Sequence, residues 1–235
     1  MDASEHNVTF VRSEQLCPGT ATFSFTRTEG YRFVAGQYLV LTVDTREGPQ
    51  MHMFSHCEAP DDEENMILTR LTGSAFKDAL LALRPGDRAT VRGPQGVLTV
   101  AENVKRAAFL VGGVGVSPAH SIVRDAARHP SDVEWLLFDG NLDETCVPFR
   151  DEFDGYERDH ANIRFVHVLE KPSAHWMGER GFITPDLVRR HCDPLDGWHW
   201  YVAGPPAMVV AMHNVLDALG VPPASATFEA FAGYR

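Results

Sequence analysis

The segment that most constrains the fold of this chain is AAFLVGGVGVSP, residues 107–118. Its first five residues, Ala107–Val111, form an apolar run typical of a strand that is buried on both faces. The run ends in three closely spaced glycines, which permit a tight turn and a close approach of the backbone to a ligand: Gly112, Gly113 and Gly115. The segment therefore predicts a buried strand followed by a glycine turn.

A helix is expected directly after this turn. Ser117 is a typical N-cap residue, and Pro118 is well suited to the first helical position. Because free N–H groups at a helix N-terminus bind phosphate, the segment is a candidate site for a phosphate-containing ligand. Pro118 stands where the common G-x-G-x-x-G motif has its last glycine, so a plain strand–turn–helix unit without a ligand is the alternative.

Length and composition restrict the class of protein. The 235 residues, 44% of them hydrophobic and 23% charged, suffice for one large domain or for two of about 100–150 residues. A net charge of −11 argues against broad nucleic-acid binding. The sequence shows no apolar run of membrane-spanning length, and its N-terminus lacks the pattern of a signal peptide. We therefore expect a cytoplasmic protein without a membrane span.

The four cysteines, Cys17, Cys57, Cys146 and Cys192, lie far apart and form no C-x-x-C pair. An iron–sulfur cluster or a zinc site made by cysteines close in sequence is therefore not expected, and we predict no metal site in this chain. Free thiols in a reducing compartment are the interpretation that fits this spacing best.

The pattern of predicted elements changes near residue 102. Before it, short β segments and turns surround one helix at 74–83, as in an antiparallel barrel; the segments are 20–27, 37–44, 51–56, 65–71, 87–93 and 96–100. After it, helices at 118–128, 148–154, 184–191 and 206–219 alternate with strands at 107–111, 133–138, 163–169, 198–203 and 225–231. We predict an antiparallel β-barrel domain over residues 1–102 and a doubly wound, parallel-sheet α/β domain over 103–235.

Seven motifs follow one another along these two halves. The N-terminal half contains GQY at 36–38, HMFS at 52–55, GSAF at 73–76 and GPQG at 93–96. The C-terminal half contains GGVGVSP at 112–118, AGPPAM at 203–208 and FEAFAGY at 228–234. In their order and spacing, through nearly all 235 residues, they resemble the ferredoxin–NAD(P)H reductase superfamily of flavoproteins.

The resemblance implies an oxidoreductase that binds FAD in the first domain and NAD(P)H in the second. Hydride would pass between the nicotinamide and N5 of the flavin, and single electrons would then go to a separate carrier protein such as ferredoxin or flavodoxin. A close alternative is an NAD(P)H:flavin reductase that acts on free flavin, which the segment HVLEKPSAHW at 167–176 resembles. A second alternative is a non-catalytic flavin-binding electron-transfer subunit of a larger complex.

The resemblance also implies residues for each ligand. The flavin is expected to contact His52, Met53, Phe54, Ser55, Thr69, Arg70, Gly73, Ser74 and Ala75. The pyridine nucleotide is expected to contact Gly112, Gly113, Val114, Gly115, Ser117, Pro118, Asp139, Gly204, Pro205 and Met208. The expected catalytic residues are Ser55 near the flavin N5, Glu229 as a carboxylate, and Phe231 as a ring that covers the flavin until nicotinamide displaces it. A core phenylalanine and a surface glutamate are the plainer alternative for the last two.

One departure from the family pattern concerns the flavin. His52 stands where arginine is usual, and histidine is shorter and mostly neutral at pH 7. Either the affinity for flavin is lower, or Arg70 on the next predicted strand supplies the charge. FAD is favoured over FMN because Gly73 and Ser74 still offer a site for a pyrophosphate.

A second departure concerns the pyridine nucleotide. The family often carries Asn-Arg after the strand predicted at 133–138, whereas Asn141 is here followed by Leu142. The carboxylates of Asp139, Asp143 and Glu144 would repel a 2′-phosphate, and a carboxylate at this place can accept hydrogen bonds from a free ribose hydroxyl. These residues favour NADH over NADPH.

Overall fold

The computed structural model describes residues 4–231, and two six-stranded sheets dominate it. The strands of the first sheet are β1 (Ser4–Cys17), β2 (Thr20–Thr26), β3 (Tyr38–Thr45), β4 (Gly48–Ser55), β5 (Glu64–Arg70) and β6 (Arg88–Gln95). All neighbours are antiparallel in the order β4-β3-β6-β1-β2-β5, and the sheet curls into a half-barrel. Helix α1 (Ala75–Ala82) follows β5.

The second sheet is parallel throughout. Its strands are β7 (Arg106–Gly112), β8 (Glu134–Asn141), β9 (Ile163–Leu169), β10 (Glu179–Arg180), β11 (Trp198–Gly204) and β12 (Ala226–Ala230), in the order β10-β9-β8-β7-β11-β12. Its helices are α2 (Ser117–Arg128), α3 (Arg150–Asp159), α4 (Pro185–His191) and α5 (Pro206–Ala218). The predicted pairing of an antiparallel barrel-like half with a doubly wound α/β half is confirmed.

The central strand β7 has the predicted character. Each residue of Ala107–Val111 is at most 1% exposed, since β8 and β11 flank the strand and helices cover both faces of the sheet. A continuous apolar run is the pattern of such a doubly covered parallel strand.

The two halves share one hydrophobic core. Leu68 and Leu98 of the half-barrel side pack in the same cluster as Val114, Ile122 and Tyr201 of the α/β side. Polar contacts from α2 reinforce this junction: the Ser121 hydroxyl donates to the carbonyl of Glu58, and Arg124 pairs with Asp62 at 2.9 Å. The predicted boundary near residue 102 falls between β6 and β7 and stays a prediction.

Three local expectations are wrong. Strand β1 is absent from the predicted elements, because only Val8 and Phe10 in it are buried and two irregularities interrupt its register. The segment 96–100 is no strand, although Leu98 is buried. Ser117 is not an N-cap: a 3₁₀ turn at Gly113–Val116 precedes α2, and the Ser117 hydroxyl donates to the Val114 carbonyl at 2.8 Å.

The expectation of four free thiols also requires correction. Cys17, at the end of β1, forms a disulfide with Cys146, in the loop after β8, across 129 positions of sequence. Such proximity between separate sheets cannot be inferred from spacing along the chain. Cys57 and Cys192 are free and buried. Among residues 4–231, no helix has both the length and the apolar character required to cross a membrane.

Candidate functional site

Two glycine loops meet where the strand order of the parallel sheet reverses. Strands β7 and β11 are adjacent, with Val111 opposite Ala203, so their carboxyl ends lie side by side. A Cβ atom at Gly115 would lie 2.5 Å from the Ala203 carbonyl oxygen and 2.7 Å from Gly204 Cα, so only glycine permits this approach. Ligands of doubly wound sheets bind at such a switch point.

The glycine turn after β7 leaves space at one position. Gly113 has a positive φ of 54°, and a Cβ atom there would meet nothing within 4 Å. The Met208 side chain lies against both Gly112 and Gly204 and so fills the gap between the two loops. Pro205 caps α5, and the helix begins at Pro206, as the rigid turn in the sequence predicts.

Asp139 supports the glycine turn from inside the protein. It is fully buried, and its Oδ2 accepts a hydrogen bond from Asn141 Nδ2 at 2.8 Å. Asn141 Oδ1 in turn accepts from the Gly113 N–H at 3.2 Å. Burial raises the pKa of Asp139, against the opposing effect of His167, 3.7 Å away. The Asp139 carboxylate therefore faces Asn141 and His167 and is not exposed where a ribose could reach it.

The loop after β8 presents a negative edge instead. The Asp143 carboxylate accepts hydrogen bonds from Thr145, and Glu144 accepts from the N–H and hydroxyl of Ser173. These hydrogen bonds lower the pKa of both carboxyl groups, which are therefore ionised at neutral pH. Leu142 beside them is 54% exposed.

A second loop–helix junction lies in the half-barrel. Ser74 is the N-cap of α1, as predicted, and accepts a hydrogen bond from the Lys77 N–H at 3.4 Å. Gly73 before it has a positive φ of 70°, and a Cβ atom there would meet nothing within 4 Å. The junction therefore combines open space with the N–H groups of a helix N-terminus.

His52 and Phe54 line the strand beside this junction. The His52 ring lies 4.2 Å from the Phe76 ring, between centroids, and the ring of Phe54 lies 5.9 Å from it. Burial, followed by the charge of Lys77, lowers the pKa of His52, so this side chain is neutral at pH 7. Met53, the residue between them, is 56% exposed on the other face of β4.

Lys77 is the functional candidate that the sequence reasoning missed. Its side chain is only 7% exposed, and its Nζ lies 2.5 Å from Thr69 Oγ1 and 4.5 Å from the centre of the Phe54 ring. Burial lowers the pKa of this amine to about 8. A sequence signal existed, because a lysine in the first turn of a helix opposes the helix dipole.

Arg70, the predicted alternative source of charge, lies exposed at the end of β5. Its guanidinium forms no ion pair with any residue between 4 and 231. Thr69, the residue before it, is fully buried and contacts Lys77. Of these two predicted flavin contacts, only Thr69 faces the interior of the half-barrel.

The predicted catalytic residues Ser55 and Glu229 lie close together although 174 positions separate them in the sequence. The Ser55 hydroxyl, at the end of β4, donates to Glu229 Oε1 on β12 at 3.4 Å. Burial raises the pKa of Glu229, partly offset by this hydrogen bond. Phe231 lies two residues further on, its N–H donates to the Gly204 carbonyl at 2.9 Å, and its ring packs against the shared core.

Comparisons with known proteins agree with this geometry. A family model described as "Oxidoreductase NAD-binding domain" matches residues 109–214. Ferredoxin–NADP reductase B of Sorangium cellulosum is 28% identical over 236 residues, which cover 94% of this chain and 96% of that protein. NADH-cytochrome b5 reductase 1 of Lodderomyces elongisporus is 32% identical over 139 residues, which cover 57% of this chain and 46% of that protein. The chain thus spans about half the length of this second relative.

Solved structures have the same architecture. Amycolatopsis cytochrome P450 reductase GcoB is similar with a TM-score of 0.85 and 26% identity over 97% of this chain and 71% of that one. A ferredoxin NADP+ reductase from Neisseria gonorrhoeae with bound FAD and NADP has a TM-score of 0.82, at 20% identity over 97% of this chain and 99% of that one. Residues 109–214 therefore match an oxidoreductase NAD-binding domain, and the two-domain fold is that of the ferredoxin–NADP reductases and related reductases to which the chain is similar.

Proposed function

We propose that this chain is an FAD-dependent reductase that takes hydride from NAD(P)H, with NADH favoured, and passes single electrons to a separate carrier protein. The observation that carries the proposal is the 3.4 Å hydrogen bond between Ser55 and Glu229. Ser55 ends the strand that lines the flavin-type site, and Glu229 lies on the strand next to the switch point. The two candidate ligand sites therefore adjoin at this pair.

The residues of the half-barrel suit a flavin cofactor. A pyrophosphate carries negative charge, which the N-terminus of α1 and the buried ammonium of Lys77 complement, and the turn at Gly73 leaves open space beside that N-terminus. Phe54 contributes an aromatic ring close by, although Lys77 and Phe76 cover most of it. This combination supports FAD over a ligand without phosphate.

When bound, FAD supplies the ability to accept two electrons as hydride at N5 and to release them one at a time. The residues of the protein itself position the Glu229 carboxyl and keep a proton on it. Ser55 holds the Glu229 carboxyl by its hydroxyl, and burial keeps a proton on that carboxyl to a higher pH than usual. Phe231 follows the end of β12, and its ring packs against the shared core.

The nucleotide side supports a preference for NADH. The free Gly113 turn and the Gly204–Pro205 turn offer backbone to a pyrophosphate and a nicotinamide at the switch point. The ionised Asp143 and Glu144 follow β8, after which the resemblance expects the adenosine ribose, and Leu142 beside them offers no positive charge. Repulsion at this edge disfavours NADPH.

The carrier is proposed only by class. The printed names of relatives and neighbours mention ferredoxin, cytochrome b5 and cytochrome P450. Each of these names joins a reductase to a redox protein or to an enzyme that receives electrons, which supports a carrier of that general class here. A ferredoxin or flavodoxin is the carrier that the sequence motifs favour.

The test is to identify the cofactor. Purified protein is denatured, the released small molecule is separated by chromatography, and the apo-protein is then titrated with FAD and with FMN. We expect release of FAD and stoichiometric uptake of FAD by the apo-protein. Release of FMN alone, or no uptake of FAD, contradicts the proposal.

A further inference from the structure

The half-barrel contains a buried cation that lacks a counter-ion among residues 4–231. Lys77 is 7% exposed, and its ammonium contacts a neutral hydroxyl, that of Thr69, and the ring of Phe54. The acidic residue in the first turn of α1 is Asp78, which is exposed and forms no ion pair with Lys77. A charge removed from water in this way destabilises a fold unless a partner of opposite charge is present.

The position of Lys77 increases this cost. It is the third residue of α1, where the helix dipole presents its positive end. Its ammonium lies against Thr69 Oγ1 on β5 and the ring of Phe54 on β4, and the open Gly73 turn precedes it by four residues. The ammonium, the N-terminus of α1 and the open glycine turn therefore belong to one segment, residues 73–77, and the positive charge of the first two favours an anion.

The neighbouring side chains do not supply that anion. His52 on β4 is neutral at pH 7, Thr69 on β5 is uncharged, and β3 contributes apolar side chains to this cluster. Arg70 adds positive charge nearby but lies in solvent. Among residues 4–231 no side chain in contact with the Lys77 ammonium supplies a negative charge, so we look for the anion in a bound ligand.

We propose that Lys77 binds the phosphate of the flavin cofactor and supplies the positive charge that His52 cannot supply. The inference rests on the proposed flavin-dependent function and adds the residue that fixes the cofactor. It also accounts for the histidine at position 52, because a second permanent cation beside Lys77 would repel it.

The experiment compares flavins with and without phosphate. Apo-proteins of the wild type, Lys77→Met, Arg70→Met and Lys105→Met are titrated with FAD, FMN and riboflavin, following flavin fluorescence. Lys105 is exposed in the segment between the sheets and serves as the matched control. We expect Lys77→Met to weaken FAD and FMN binding about 10- to 100-fold, the range of a charge-assisted hydrogen bond, and to leave riboflavin binding unchanged.

The pH dependence of FAD affinity is a second test, and it uses the wild type with the Lys77 side chain in place. The affinity of the wild type for FAD should fall as the pH rises above about 8, because the free amine loses its proton there. Lys77→Arg keeps its charge and should show no such fall. Burial, followed by the charge of Lys77, lowers the pKa of His52, so His52 does not account for a transition in this range.

Each outcome of these titrations either supports or overturns the assignment of Lys77 as the residue that binds the flavin phosphate. Equal FAD affinity of Lys77→Met and the wild type, with circular dichroism showing an intact fold, overturns the assignment of Lys77 and leaves the flavin-dependent function standing. A loss confined to Arg70→Met transfers the role to Arg70 and also overturns it. Failure of the wild type to bind any of the three flavins overturns the proposed function and this inference together.

Discussion

Glu229 has a catalytic role if its carboxyl transfers a proton during flavin reduction, and a structural role if it does not. Burial raises the pKa of this carboxyl, and Ser55 holds it at 3.4 Å. Glu229→Gln keeps the shape and removes the exchangeable acid, so we expect the rate of flavin reduction by NADH to fall about 10²- to 10⁴-fold, the usual contribution of a proton-handling side chain. Anaerobic stopped-flow measurement of flavin reduction gives this rate, and NADH affinity should change much less.

The control for this substitution is Glu102→Gln. Glu102 is exposed in the segment between β6 and β7, outside the strands that carry the Ser55–Glu229 pair. Its reduction rate should match the wild type. If Glu229→Gln stays within about twofold of the wild type, where a catalytic carboxyl contributes at least about 10²-fold, Glu229 has no part in proton transfer.

We predict that the charge of Lys77 favours cofactor binding and lowers the stability of the apo-protein. Its pKa is about 8 in the folded apo-protein, whereas the ordinary value for an exposed lysine is 10.5. The folded state therefore binds fewer protons between these values, and stability rises with pH across that interval. Below pH 8 the buried charge costs about 3 kcal/mol, which Lys77→Met should recover in the apo-protein.

Urea unfolding at several pH values measures this effect. The free energy of unfolding of apo Lys77→Met should exceed that of the apo wild type at pH 7, and the difference should vanish above pH 10.5. A variant that is less stable than the wild type at pH 7 would show that the ammonium is already compensated within the protein.

Among the elements, those with strong periodic or compositional signals were predictable from sequence. Strand β7 is a continuous apolar run, and the Gly-Ser start of α1 fixes that helix to within a residue. Strand β1 was not predictable, because most of its side chains lie in solvent and hydrogen bonding to β2 and β6 maintains it. The prediction of Ser117 as an N-cap was wrong because a 3₁₀ turn at Gly113–Val116 precedes α2. That turn depends on the tertiary packing of the glycines, which the local sequence does not reveal.

The residues of the candidate site also differ in whether the sequence alone predicts them. Ser55 and Glu229 were predictable only through the family resemblance, since 174 positions separate them. Asn141 was not assigned a role, because its link to Gly113 and Asp139 depends on how β7 and β8 align. Lys77 was passed over because a lysine in a surface-type helix pattern is ordinarily solvated, and burial is a property of the folded half-barrel.

We propose that the loop after β8 determines the choice of nucleotide. With Leu142 beside two ionised carboxylates, kcat/KM should be higher for NADH than for NADPH. Leu142→Arg places a guanidinium where a 2′-phosphate would lie, and we expect it to raise kcat/KM for NADPH about tenfold or more, as a charge-assisted hydrogen bond does.

Steady-state kinetics with an artificial electron acceptor provide both values. Leu142→Gln is the matched control, since it adds polarity without charge. A wild type that prefers NADPH would mean that a basic group elsewhere in the chain reaches the 2′-phosphate.

For the molecule as a whole, the disulfide is the covalent link between the two sheets. Cys17 ends β1 and Cys146 follows β8, so the bond closes a loop of 129 positions across the junction. Breaking a bond of this kind typically costs about 2–4 kcal/mol. We expect dithiothreitol to lower the free energy of unfolding of the wild type by that amount.

The double variant Cys17→Ser/Cys146→Ser serves as the control. Guanidinium unfolding of this variant should be insensitive to the reductant, because Cys57 and Cys192 are free and buried. Thiol labelling of the denatured, unreduced wild type should find two reactive cysteines. Four reactive cysteines would mean that Cys17 and Cys146 are not bonded in the purified protein.

The whole arrangement supports transfer of electrons between two ligands held at one junction. The proposed flavin site lies in the half-barrel, the proposed nucleotide site lies at the switch point of the parallel sheet, and the Ser55–Glu229 hydrogen bond joins the two sheets. A binding module with no catalytic role requires only the first of these sites. The presence of both, in contact, favours the enzyme.

Anaerobic addition of NADH to the FAD-loaded protein tests this most directly. The visible absorbance of the flavin should disappear with one equivalent of NADH and return when a ferredoxin or an artificial one-electron acceptor is added. FAD that stays bound and fully oxidised in excess NADH and in excess NADPH would contradict the assignment of the chain as a reductase.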